Sequence, residues 1–182
     1  DLCAMAINLG CTFVARSFSG SKKQLASILK AAMSHKGFAL VDVISPCVTF
    51  NNNDESMRSY GYVKDNEVTL HMADYIPHFN PMEEVEVPDG HFRDITLHDG
   101  STIRLETISE DHDPSDAMAA LTALHAAETG KKHVTGLLYF DATKPSLAED
   151  LGLVDEALLD LPNEALRPDR ASLDALNAEF FA

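Results

Sequence analysis

The chain has 182 residues, of which 45% are apolar, enough to bury a core. Its 29 acidic residues outnumber 14 basic ones, and the resulting net charge of −15 disfavours the phosphate backbone of nucleic acids and anionic membrane surfaces as partners. No apolar run approaches the roughly 18 residues that a membrane span needs.

Charge is uneven along the chain. Residues 1–50 hold Arg16, Lys22, Lys23, Lys30 and Lys36 against Asp1 and Asp42, a balance of +3 that leaves −18 for residues 51–182. The basic segment is expected to face something that the acidic segment does not. The cysteines, Cys3, Cys11 and Cys47, are odd in number, lack C-x-x-C spacing and accompany neither a signal-like stretch nor a glycosylation sequon, which fits a reducing cytoplasm. The text opens on "DLCAMAINLG", without methionine and already helix-like, as a piece of a longer protein or a processed chain would.

In chain order, Leu2, Ala6 and Leu9 predict a helical face that Gly10 stops, and "CTFVAR" (residues 11–16) then reads as a strand. Ser21 is placed to cap a helix over "KKQLASILKAAMSHK", with Leu25, Ile28, Leu29 and Met33 as its apolar face and Gly37 at its stop. "FALVDVI" (residues 38–44) is almost unbroken apolar text, the signature of a strand covered on both faces. Strand, helix and strand with short links predict a right-handed crossover in a parallel sheet.

Residues 54–66 predict a short helix interrupted near Gly61. Alternation around Pro88-Asp89-Gly90 and His98-Asp99-Gly100 predicts a small antiparallel β appendage over residues 85–107. Asp113-Pro114-Ser115-Asp116 opens a helix running through Ala127, with Met118, Leu121, Leu124 and His125 on one face. "VTGLLYFD" (residues 134–141) is a late strand, and a last helix falls near residues 172–181.

The chemistry concentrates at Ser45-Pro46-Cys47, just past the carboxyl end of the strand at residues 38–44. Ligands of parallel α/β sheets gather at that end, and Pro46 has no N–H to continue a ladder, so Cys47 is delivered to a loop at the sheet edge. On residue type alone Cys47 is either an inert boundary cysteine or a ligand. One thiolate cannot hold a cluster, since iron–sulfur clusters take about four such ligands. Cys3 and Cys11 sit at apolar positions and read as packing.

Other constellations carry less. "DHD" (residues 111–113), "HFN" (78–80) and "KKH" (131–133) lack metal-ligand spacing, and residues 111–113 read as a helix-start turn. No serine sits in a G-x-S-x-G elbow, and "GSKK" (residues 20–23) lacks the spacing of a phosphate loop. Asn51-Asn52-Asn53 has no upstream G-D-G to make it a thiamine diphosphate motif, and so reads as loop structure.

At "TFVARSFSGSKKQLASILKAAMSHKGFALVDVISPCVTFNN", residues 12–52, the text closely resembles the β subunit of the 2-oxoacid:ferredoxin oxidoreductases, most like the 2-oxoglutarate branch. The likeness continues through "SYGYVKDN", "ITLHDGST", "TGLLYFD", "LVDEALLDLP" and "ALRPDRASLDALN", and what it resembles is the carboxyl-terminal half of that subunit. The resemblance implies an α/β fold: a half domain with a parallel sheet of the thiamine diphosphate-binding type (residues 1–66), followed by an extension of β appendage and carboxyl-terminal helices (residues 67–182).

It also implies an enzyme part that is not active alone. The family's complex oxidatively decarboxylates a 2-oxoacid, here most like 2-oxoglutarate, onto coenzyme A and passes electrons to ferredoxin. Its β subunit carries thiamine diphosphate, Mg²⁺ and a 4Fe–4S cluster, and its α subunit is the partner. Cys47 is similar to the fourth cluster ligand, and the Asn51–Asn53 loop is expected to hydrogen-bond to the cluster. The family's C-P-G-C and G-D-G texts are expected upstream, and neither lies within these residues. A second expectation from another class is a cofactor-free interaction or assembly module derived from such a subunit.

Overall fold

The structure, a computed structural model, describes residues 1–78, 92–97, 99–107 and 112–180. Its first compact unit, Asp1–Leu147, is layered around a four-stranded sheet. Helix α1 (Leu2–Asn8) leads into β1 (Phe13–Phe18), helix α2 (Lys22–Ser34) and β2 (Ala39–Ile44). β1 and β2 pair in parallel, Phe13 opposite Ala39 through Phe18 opposite Ile44, as the strand–helix–strand text requires. Later in the chain come α3 (Tyr60–Asn66), β3 (Glu67–Thr69), β4 (His71–Ile76), β5 (Phe92–Thr96), β6 (Thr102–Thr107), α4 (Ala117–Thr129) and β7 (His133–Phe140).

The main sheet has the order β2-β1-β7-β3 and is mixed, which corrects the expected parallel sheet. β7 runs antiparallel to β1 and parallel to β3. Apolar patterning reports that a strand is buried and says nothing of its direction, so "VTGLLYFD" alone left its orientation open. β1 is buried at every position because strands flank it on both sides and helices cover both faces. β2, expected to be covered on both faces, is instead the edge strand and only half-buried.

Two cores flank this sheet. On one side Cys3 and Ile7 of α1 pack with Ala120, Leu124 and Ala127 of α4 against Val14 and Leu138. On the other, Ile28 and Ala31 of α2 pack with Ala73 and Ile103 against Phe13, Ala15 and Leu137. Ala73 and Ile103 belong to a three-stranded antiparallel sheet of order β4-β6-β5, which confirms a β appendage over its described strands. The expected first strand and turn near residues 85–90 lie outside the described residues, while β3 and β4 are strands the patterning missed.

The helices form where expected but turn other faces inward. α1 buries Cys3 and Ile7, and leaves Leu2 and Leu9 exposed. α2 buries Gln24, Ser27, Ile28 and Ala31, a stripe at helical spacing, while Leu29 and Met33 face solvent. Small residues let a helix lie close on a sheet, and Gln24 adds a hydrogen bond from Nε2 to the His71 carbonyl at 3.2 Å. In α4, Asp116 is the N-cap, its Oδ1 accepting from Met118 N–H at 2.8 Å and Ala119 N–H at 3.2 Å, and Met118 is exposed.

The helix expected over residues 54–66 begins only at Tyr60, behind a loop covering residues 45–59. β3 and β7 complete the sheet that β1 and β2 begin, and the first compact unit closes at Leu147. The second unit, Ala148–Ala182, carries α6 (Arg170–Phe180), preceded at the divide by the short α5 (Leu147–Asp150). Asp169 opens α6 by accepting Ser172 N–H at 2.7 Å, and none of this unit's described residues is buried.

Candidate functional site

β2 stops at Ile44 because the residue before a proline is pushed out of regular pairing and Pro46 has no N–H to give. Ser19 N–H closes the last rung of the β1–β2 ladder on the Ile44 carbonyl at 2.9 Å. Pro46 is buried, and Cys47, the next residue, is exposed. The loop that follows is held mainly by hydrogen bonds, since Val48 and Phe50 are 72% and 77% exposed and contribute little burial.

Those hydrogen bonds give the asparagine run its purpose. The Cys47 carbonyl accepts the N–H groups of Phe50 (3.2 Å) and Asn51 (2.8 Å), folding residues 47–51 into a tight turn. Asn52 Oδ1 accepts Tyr60 N–H at 3.1 Å, satisfying one of the first-turn N–H groups of α3 that have no partner inside the helix. The Asn53 carbonyl accepts Ser56 N–H at 3.1 Å. Tyr60 itself is fixed to the carboxyl end of β1: its ring lies 5.3 Å from that of Phe18, and its hydroxyl lies 3.3 Å from Ser19 Oγ. At the far end of the loop His133 Nε2 donates to the Met57 carbonyl at 3.1 Å, and Tyr62 Oη donates to the Lys131 carbonyl at 2.9 Å. Tyr60 and Ser19 were not singled out as site residues from sequence, and His133 was weighed only as a metal ligand; these residues are brought to the loop by the fold, which composition does not reveal.

The other cysteines are placed differently. Cys3 is buried with its sulfur 4.0 Å from the Ala15 carbonyl and 3.9 Å from Asp42 Oδ2. Burial raises its thiol to about 11, against the opposing pull of the Arg16 guanidinium. Cys11 is buried too, its thiol near the carbonyls of Phe13 (3.2 Å) and Phe38 (3.1 Å). Both are packing residues, as expected, and Cys47 alone of the three faces solvent.

Among the described residues no group of three or more His, Cys, Asp or Glu is arranged to hold a metal ion. Asp113 makes the helix-start turn expected of it, its Oδ1 accepting Ser115 N–H at 2.8 Å and Ser115 Oγ–H at 2.7 Å, while Asp111, Phe79 and Asn80 lie outside the described residues. Among the described residues no helix is long and apolar enough to cross a membrane.

No family model matches the chain. It is 55% identical over 49 residues to 2-oxoacid:ferredoxin oxidoreductase 1, subunit beta, of Aeropyrum pernix, a match covering 27% of this chain and 15% of that protein. It is 36% identical over 77 residues to the 2-oxoglutarate synthase subunit KorB of Methanocaldococcus jannaschii, covering 40% of this chain and 28% of the relative. In structure it is similar to a 2-oxoglutarate:ferredoxin oxidoreductase from Magnetococcus marinus with 2-oxoglutarate, coenzyme A and succinyl-CoA bound. That match has a TM-score of 0.52 and 26% identity, and covers 88% of this chain and 44% of that one. The matches therefore take up less than half the length of each of these proteins.

A chain whose first unit is α/β layered is thus similar to oxidoreductase subunits in sequence and to an oxidoreductase in structure. The resemblance holds: the chain is similar to the β subunit of the 2-oxoacid:ferredoxin oxidoreductases, with 2-oxoglutarate enzymes among its relatives in both comparisons.

Proposed function

We propose that this chain is the carboxyl-terminal part of the β subunit of a 2-oxoacid:ferredoxin oxidoreductase. The complete enzyme would oxidatively decarboxylate a 2-oxoacid, 2-oxoglutarate in the first instance, to the acyl-coenzyme A and send the electrons through a 4Fe–4S cluster to ferredoxin. In this reading residues 1–66 derive from the thiamine diphosphate-binding domain, residues 67–182 are the subunit's extension, the α subunit is the partner and the cytoplasm is the compartment.

The observation that carries the reading is the placement of Cys47. It is the exposed cysteine, set one residue past the proline that follows β2, at the end of the sheet where α/β folds receive ligands. The fit to a cluster is one ligand position and no more, because Cys3 and Cys11 are buried as packing residues and clusters take about four thiolates. Cys47 would hold one iron, and the group would supply one-electron transfer. The chain's own contribution is to keep that thiol at the sheet edge and to fix its loop. The residues present do not fit thiamine diphosphate with Mg²⁺, since no G-D-G lies within residues 1–50 and Asn52 Oδ1 is already used by Tyr60. No residue here is assigned to that cofactor.

The test is Cys47→Ala in the full-length subunit assembled with its α partner. The cluster's broad visible absorption should bleach and ferredoxin reduction should stop; an unchanged spectrum would overturn the assignment. The coding sequence upstream of Asp1 separates this reading from a cofactor-free assembly module, because only the enzyme requires in-frame C-P-G-C and G-D-G texts there.

A further inference from the structure

We infer that Asn52 is the positioning residue for Cys47. The loop over residues 45–59 spans fifteen residues without regular structure, long enough that holding it in one conformation carries a substantial entropy cost. Its apolar side chains do not meet that cost, as Val48, Phe50 and Met57 are all exposed. Backbone bonds to the Cys47 carbonyl make residues 47–51 a local turn, but those bonds leave its far side, past Asn51, able to swing about Pro46. Asn52 follows directly, and its side chain reaches eight residues forward to the N–H of Tyr60. Tyr60 is in turn seated on Phe18 and Ser19 at the carboxyl end of β1. The near side of the Cys47 turn is thus held by the buried Pro46 and the end of β2, and its far side is tied to the sheet through one amide oxygen.

The competing explanation is that Asn52 merely caps α3. The helix supplies its own control, because Ser59 is the N-cap and its Oγ accepts Tyr62 N–H at 3.2 Å. If capping were the whole role, Asn52→Ala and Ser59→Ala would fray the same first turn with the same consequences. If Asn52 positions Cys47, Asn52→Ala alone loosens the turn ahead of it, and Asn52→Asp, which keeps an oxygen acceptor, restores it.

Amide hydrogen exchange on the 182-residue chain decides between these. In Asn52→Ala the Phe50 and Asn51 amides should exchange about fivefold faster, ~1 kcal/mol at tenfold per 1.4 kcal/mol, with β1 amides unchanged. Ser59→Ala should leave Phe50 and Asn51 at the native rate, and Asn52→Asp should return them to it. Equal acceleration in Asn52→Ala and Ser59→Ala, or failure of Asn52→Asp to restore the rate, would overturn the inference.

Its importance for electron transfer rests on Cys47 being a cluster ligand, as proposed above. In the assembled enzyme Asn52→Ala should shift the cluster's paramagnetic resonance spectrum, and Asn52→Asp should restore it. A native enzyme without a cluster would sink the proposed function while leaving the exchange result standing, so the two failures are distinguishable.

Discussion

The imidazole of His71 stands in for a missing strand partner: its Nε2 accepts the backbone N–H of Leu137 at 3.0 Å. β1 and β7 slip register here, Val14 opposing Tyr139 and Ala15 opposing Leu137, so Leu138 is passed over. Gly136, at φ +121°, leaves room for the ring; a Cβ there would lie 3.2 Å from His71 Nε2. His112 stacks on His71 with centroids 5.9 Å apart, and its own Nε2 donates to the Leu138 carbonyl at 3.0 Å. The bulge is thus satisfied from outside the sheet by two histidines.

A pH dependence follows. Burial, then the neighbouring His112, lowers the His71 pKa from 6.5 to about 4. Between those values the unfolded chain binds the proton and the folded chain does not. Stability is therefore full above about pH 6.5 and falls as the pH drops towards 4, by ~3 kcal/mol in all. Urea melts at half-unit steps should trace that slope. His71→Gln keeps an acceptor for Leu137 but cannot titrate, so its curve should be flat across the window; a slope as steep as the native one would remove His71 as the cause. Asp99 and Asp141, whose pKa values are lowered chiefly by hydrogen bonds from Ser101 and Thr143, act only below this window.

The three thiols should separate cleanly by reactivity. At pH 7.5 iodoacetamide should label Cys47 in the native chain and spare Cys3 and Cys11, because alkylation needs an accessible thiolate. Cys3 is doubly protected, by burial and by a thiol pKa raised to about 11. Mass spectrometry of the labelled peptides is the measurement, with full labelling in urea as the reference. Native labelling of Cys3 at the rate of Cys47 would contradict the packing of α1 described above.

How much of this was legible beforehand divides along physical lines. Local periodicity located β1, α2, β2, α4, β7 and α6, and the Pro46 rule located the exposed cysteine, because each depends on the chain's own backbone. Helix faces were misjudged because size was taken for burial: α2 turns Gln24, Ser27 and Ala31 inward, where close approach to strands counts for more than side-chain volume. Strand direction, the edge position of β2 and the anchoring of the loop by Tyr60 and His133 are set by contacts far apart in sequence. Asn52 reads from sequence as loop structure, and its bond to a backbone N–H agrees, but the partner was not legible because it lies in the following helix.

Two glycines should respond in opposite directions to alanine. A Cβ at Gly37 would collide with Thr12 Oγ1 and come within 2.5 Å of His35 Nε2, atoms already bonded to each other at 2.7 Å. Gly37→Ala should cost about 2 kcal/mol through forced movement of that pair. Gly61 lies within α3 and a Cβ there meets nothing within 4 Å, so Gly61→Ala should stabilise by about 0.5 to 1 kcal/mol from helix propensity. Urea midpoints of both variants provide the check, and a loss of stability in Gly61→Ala would count against the assigned start of α3.

Arg16 and Asp42 are register partners across β1 and β2, joined by Arg16 Nε to Asp42 Oδ2 at 2.8 Å, while Arg16 Nη2 reaches Asp1 Oδ2 at 2.7 Å. The Arg16 side chain is only 10% exposed, so removing Asp42 leaves a largely buried guanidinium with one of its two carboxylates gone. Asp42→Ala should therefore destabilise by about 2 to 3 kcal/mol. Replacing both partners with apolar residues of similar volume, Arg16→Met with Asp42→Leu, removes the buried charge together with its partner. The double variant should then be more stable than Asp42→Ala alone, because desolvating a charge costs more than a pair of this kind returns. Denaturant melts of Arg16→Met, Asp42→Leu and the double give the coupling directly. Simple additivity would mean that Arg16 and Asp42 do not act as a unit, and that the β1–β2 edge leading to Cys47 is held by backbone pairing alone.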